Sequence, residues 1–143
     1  MSTVRLDWLQ GKTFVGTDST KHAIVVSSSD EANGTGVKPS DLLLIGLASC
    51  ASMDVIEILN KKRQPPDGME VRVDGTQEPD PPWTFRKIHM HFLLRGALLQ
   101  PGAVEQAIRL SEEKYCSVAA TIRCAAEITT SFDIQTPPGQ AAA

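Results

Sequence analysis

Aromatic side chains are scarce: four Phe, two Trp and one Tyr make up 5% of the 143 residues. So few rings leave little for stacking nucleobases. An excess of positive charge is also missing. Fourteen basic and seventeen acidic side chains give a formal charge of -3. Neither nucleic acid nor an anionic membrane is attracted by such a balance. Cysteines number only three, Cys50, Cys116 and Cys124, an odd count at wide spacing. That is no secreted disulfide framework. Closely spaced Cys/His pairs of the structural-zinc type are lacking. So are a phosphate-cradling glycine loop, a G-x-S-x-G elbow and an H-E-x-x-H pair.

The opening MSTVRLDWLQ has no basic segment followed by an apolar one, so a signal peptide is not expected. The most apolar stretch, 42–59, is interrupted by Gly46, Ser49, Ser52, Asp54 and Glu57. A membrane span needs about 18–20 nearly uninterrupted apolar residues. The expectation is a cytoplasmic protein with no membrane partner. In a reducing compartment its cysteines are core residues, metal ligands or working thiols.

What the chain does contain is an ordered series of periodic segments. The length suits one domain over 1–143, with the tail PPGQAAA from Pro137 expected to fray. Residues 4–9 alternate, Val4, Leu6 and Trp8 against Arg5 and Asp7, as a half-buried strand does. Segments 13–16 and 22–28 read as two further strands, and 29–38 as a loop. The longest element is a helix over 40–62. Pro39 precedes it, Ser40 or Asp41 is the expected cap, and Pro65-Pro66 stops it. Its apolar residues lie on nearly every face from Leu42 to Ala51. A helix of that kind is expected to be buried all round, here between a sheet and a partner subunit.

Segments 70–77 and 85–94 read as strands, 101–115 as an amphipathic helix, and the piece after Cys116 as a shorter one. A strand over 128–134 closes the chain. The order βββ-α-ββ-α-α-β is an α+β pattern of antiparallel strands and segregated helices. On the second long strand His89 and His91 share a face. They read as solvent-side residues of an alternating strand, and no metal site is expected.

Cys50 lies inside the long helix among Gly46, Ala48, Ser49, Ala51 and Ser52. Taken alone it reads as a core thiol, since free Cys is a frequently buried type. Cys116 sits where a helical piece begins. There, unpaired N–H groups and the helix dipole favour the thiolate. Cys124, beside Ala125 and Ala126, reads as structural.

Taken together, these motifs resemble a known family. The stretch VKPSDLLLIGLASCASMDVIEILNKKRQ (37–64) resembles the central helix of the OsmC/Ohr proteins, and EKYCSVAATI (113–122) resembles their second cysteine motif. The order of elements matches over roughly 4–135. The resemblance implies an intertwined homodimer with both long helices buried and active sites at the subunit interface. It implies thiol-dependent reduction of organic hydroperoxides, with Cys50 as peroxidatic and Cys116 as resolving cysteine. It implies no bound metal, haem or flavin, and an external dithiol reductant such as a lipoyl-type dithiol. The typical peroxidases carry a Glu ten residues before the first cysteine, holding an Arg to the thiolate. Here that position is Ser40, with Asp41 beside it and Lys38 as the only cation nearby. That departure keeps two other readings open: a non-catalytic dimer that binds a small apolar ligand, and a redox sensor or disulfide-exchange protein.

Overall fold

The computed structural model describes residues 1–137; all but the first residue of the expected tail lies outside them. Two compact units arise, Met1–Leu44 and the chain from Ile45 onward.

The first unit is a three-stranded antiparallel meander in the order β1 (Arg5–Gln10), β2 (Thr13–Thr17), β3 (Ala23–Ser27). Trp8 pairs with Phe14, and Phe14 with Val26. The β1–β2 turn needs Gly11, whose φ is +52° and whose added Cβ would lie 2.5 Å from Asn33 Oδ1. The loop after β3 is fastened by buried Ser27, whose Oγ accepts from Gly36 N–H at 2.9 Å and Thr35 N–H at 3.2 Å. The expected alternation of β1 is present, but Leu6 and Trp8 remain 60% and 66% exposed. Within the first unit no second layer of described residues covers them. Val4, Leu6, Phe14, Ile24, Val26 and Leu42 therefore line an open apolar hollow.

Helix α1 (Pro39–Lys61) begins in the first unit and continues through the second. Pro39 occupies its first turn, where the missing N–H costs nothing. The expected cap is corrected: Ser40 already lies inside the helix, and its hydroxyl is buried without a hydrogen-bond partner. Asp41 in the first turn and Lys61 in the last match the helix dipole. At the C-terminal end Gln64 N–H reaches Leu59 O at 2.9 Å across Arg63, whose φ is +59°. This bond from beyond the helix back to its last turn is the Schellman pattern, with Arg where Gly is usual.

Burial all round is not what one chain achieves. Leu47, Ala51, Val55 and Leu59, spaced four apart, are buried, while Leu43, Ile45 and Met53 are exposed. A four-residue spacing is one stripe of a helix, and the chain covers only that stripe. By length and composition alone α1 could cross a membrane, since it holds an 18-residue stretch apolar enough to do so. Its polar interruptions therefore exclude less than the sequence suggested, although core helices meet the same criterion.

The second unit holds a sheet in the order β4 (Gly68–Gln77), β5 (Phe85–Arg95), β6 (Glu127–Gln135). β4 and β5 form the expected antiparallel hairpin. β6, however, runs parallel to β5, where antiparallel strands were expected. The reason is the connection: α2 (Pro101–Leu110), a turn of π-helix (Ser111–Tyr115) and α3 (Ser117–Ile122) carry the chain back to the starting end of β5. Ile88, Met90, Phe92 and Leu94 of β5 are buried at alternate positions, and Val104, Ala107 and Ile108 of α2 are buried too.

Candidate dithiol site

Cys50 stands on α1, one residue before buried Ala51. Cys116 caps the start of α3 and is 2% exposed. Far apart in sequence, the two thiols become side-chain neighbours, and both are free. A polar link holds this arrangement. Ser111, buried at the start of the π turn, donates from Oγ to Asp54 Oδ2 at 2.9 Å, with Ala51 O at 3.3 Å. The Ser111 carbonyl in turn accepts the Cys116 N–H at 2.8 Å. Ser111 thus ties α1, one turn past Cys50, to the backbone of Cys116.

The π turn is the feature that sequence reasoning missed. A continuous helix over 101–115 would carry Ser111 merely as a polar member of an apolar stripe. That misplaced hydroxyl was the available signal, since buried polar groups need partners. The extra residue in the turn ends the helix with Cys116 in extended conformation, φ -76°, ψ 105°, ready to cap α3. π-bulges of this kind often mark functional positions. Arg123 secures the turn from α3, donating to the Glu112 carbonyl. Burial raises the Glu112 carboxyl above the usual range, opposed by Arg123 and reinforced by Glu113.

The expectation that the helix start favours a Cys116 thiolate is overturned. Burial, seconded by the neighbouring Cys50 thiol, pushes the Cys116 thiol up from 9.0 to about 11. The Ala119 N–H, 3.3 Å from Cys116 Sγ, opposes the shift and loses. Desolvation of a charged sulfur outweighs one N–H from a short helix. With the folded pKa raised, the resulting stability is complete below pH 9 and is lost as pH rises toward 11. At pH 8 a thiol of pKa 11 is about 0.1% ionised, against about 10% at pKa 9. Iodoacetamide should therefore label Cys116 in the folded protein about 100-fold more slowly than in the denatured chain. The folded rate should climb about tenfold per pH unit to pH 10. Alkylation over pH 7–11, resolved by peptide mapping, measures it. A rate that levels off near pH 8 would contradict the shift.

Lys38, Ser40 and Asp41 lie in the first unit, around the start of α1. The arginines that sequence alone could not place have partners of their own. Arg5 pairs with Asp7 at 2.9 Å, Arg86 with Glu78 at 2.8 Å and Arg123 with Glu112 at 3.9 Å. Arg95 lies over Gly68, where an added Cβ would meet Arg95 Nη2 at 2.5 Å. Cys124 is exposed at the end of α3, not a core thiol, with Ala120 O at 3.8 Å from its sulfur.

Two sheets, a long helix bearing one thiol and a short helix capped by the other define an α+β dithiol protein. The chain belongs to the OsmC-like family, whose model, described as OsmC-like protein, matches residues 32–131. It is 35% identical over 132 residues to Protein YhfA of Escherichia coli K12, covering 91% of this chain and 96% of that protein. A hypothetical protein of Aquifex aeolicus VF5 has the same fold at 29% identity and a TM-score of 0.85, covering 95% of this chain and 97% of that one. The organic hydroperoxide resistance protein OhrB of Bacillus subtilis shares the fold at 14% identity and a TM-score of 0.62, covering 93% and 98%. Family membership suggests a role in redox or peroxide resistance.

Proposed function

We propose that this protein is a cytoplasmic thiol-dependent peroxidase that reduces organic hydroperoxides. One observation carries the reading: Cys50 and Cys116 meet as free thiols in one site. The Cys50 thiolate attacks the terminal peroxide oxygen and the O–O bond breaks. The alkoxide takes a proton to become an alcohol, leaving a sulfenic acid on Cys50. The Cys116 sulfur then attacks the Cys50 sulfur. Its proton leaves with the departing hydroxide as water, and a Cys50–Cys116 disulfide remains. An external dithiol such as a lipoyl group restores both thiols by exchange. No bound cofactor takes part.

The raised pKa of Cys116 supports this division of labour. A thiol kept protonated competes poorly for peroxide and brings the proton that the second step releases. The apolar surroundings of Cys50 suit a hydrophobic hydroperoxide. The acting species is a homodimer: the exposed apolar residues Ile45 and Met53 of α1, with Leu6 and Trp8 of β1, provide surface for a second copy.

Native mass spectrometry before and after one equivalent of cumene hydroperoxide tests the reading. The expected species has twice the chain mass and loses two hydrogens per chain. Non-reducing peptide mapping should assign them to Cys50–Cys116. Two free thiols after the peroxide is consumed would overturn it.

The pairing of Arg86 and Arg123 with acids, together with Ser40 in place of the family's Glu, favours a second reading. In it the dimer binds a small apolar ligand without turnover, and an apolar molecule co-purifies.

A further inference from the structure

Outside the dithiol site, the outer face of the β4–β5–β6 sheet carries a second chemical cluster. Side chains alternate along β5, so Ile88, Met90 and Phe92 are buried and His89 and His91 share the opposite face. Parallel pairing puts Thr129 beside His89 and Ser131 beside His91. His89 Nδ1 lies 2.7 Å from Thr129 Oγ1, and its Nε2 lies 2.7 Å from Ser131 Oγ. His91 Nδ1 also lies 2.7 Å from Ser131 Oγ, and its Nε2 lies 3.2 Å from Asp133 Oδ2.

Two imidazoles therefore aim one nitrogen each at a single point, the Ser131 hydroxyl. A hydroxyl has one hydrogen, so it donates to one ring and accepts from the other. Each ring's second nitrogen is held from behind, by the Asp133 carboxylate for His91 and by the Thr129 hydroxyl for His89. Converging nitrogens with a carboxylate or hydroxyl behind each ring are how proteins orient metal-binding histidines.

We propose that His89 and His91 bind a borderline divalent transition-metal ion, of the zinc, nickel and copper class, on this sheet face. Imidazole nitrogen suits those ions, at about 2.0–2.1 Å for zinc. The ion takes the point now held by the Ser131 hydroxyl, which must rotate away for the two nitrogens to close on it. The charges on this face include the carboxylates of Asp74 and Asp133 beside the pair as well as Lys87 two residues before His89. Asp74 is paired with His89 across β4, and Asp133 stands behind His91. Arg72, opposite His91, is held by Glu70 at 2.7 Å. Among the described residues no third His, Cys, Asp or Glu completes the set. The ion thus keeps open positions for water or a further ligand, as non-structural sites do.

A nucleophilic serine is the competing use of an Asp–His–Ser series. Ser131 sits in mid-strand, paired with His91 in the ladder, so its backbone does not form the oxyanion hole that such chemistry requires.

Titration of the reduced full-length chain with Zn2+ by calorimetry tests the proposal. One ion per chain is expected at micromolar affinity. His89→Gln and His91→Gln should each weaken binding at least tenfold. Asp133→Asn should weaken it about tenfold at unchanged stoichiometry. The double variant Cys50→Ser/Cys116→Ser should keep the affinity within threefold, which separates this site from thiol chemistry. Retained binding in both histidine variants, loss of the site in the double cysteine variant, or no binding by the parent chain would each overturn it. Thermal unfolding checks that the variants fold; the side chains of His89, His91 and Asp133 lie on the outer sheet face, away from the core.

Discussion

Cys50→Ser should lower hydroperoxide turnover by at least about a thousandfold. Sulfur is an intrinsically strong nucleophile, whereas a serine hydroxyl without a base stays protonated and attacks an O–O bond poorly. The other sulfurs do not substitute. Cys116 is buried and held protonated, with its thiol near pKa 11, and Cys124 is exposed on the far side of α3 from its cap. Cys116→Ser should behave differently. Each chain should consume one hydroperoxide and then stall as a sulfenic acid or a mixed disulfide with added thiol. Loss of cumene hydroperoxide with a saturating dithiol, followed for both variants, separates the two roles. Equal turnover by Cys50→Ser and the parent would remove Cys50 from the mechanism. A parent chain with no turnover, carrying a co-purified apolar molecule, would favour the binding reading.

The largest stability change expected from one side chain is at Phe92. It is fully buried at the middle of β5, paired with Val71 on one side and Phe132 on the other. Phe92→Ala removes a ring from the central strand of a three-stranded sheet and should cost about 3–5 kcal/mol. Domains of this kind hold only about 5–15 kcal/mol in total, so the variant should unfold at much lower urea. Phe92→Leu keeps most of the volume and should cost less than about 1.5 kcal/mol. Urea unfolding followed by circular dichroism gives both values. Matching midpoints for Phe92→Ala and the parent would mean that the β5 face is not the core.

Much of this architecture is local enough to be legible in the sequence. Proline stops bracket α1, alternation marks β5, and Gly11 marks the first turn. The two thiols, in contrast, were paired only through their family motifs, because nothing local says that residues 50 and 116 meet. What escaped depends on distant partners. The parallel placement of β6 follows from where α2 and α3 take the chain, which periodicity does not record. The π turn is a one-residue irregularity inside a convincing helical stripe. The histidines looked like ordinary solvent-side residues because Thr129, Ser131 and Asp133 come to them from a strand some forty positions later. The raised Cys116 pKa escaped for a similar reason: the dipole argument is local, and the burial that defeats it is not.

The parallel strand also bears on how this chain is made. β4 and β5 can pair as soon as their short connection has left the ribosome, whereas β6 must wait for all of 96–126. Closing so long a loop is slow compared with hairpin formation. During that delay β5 has one unpaired edge, the kind that recruits other strands and promotes aggregation. Cys116 lies within the delayed stretch. A nascent chain stalled before β6 emerges exposes that sticky edge.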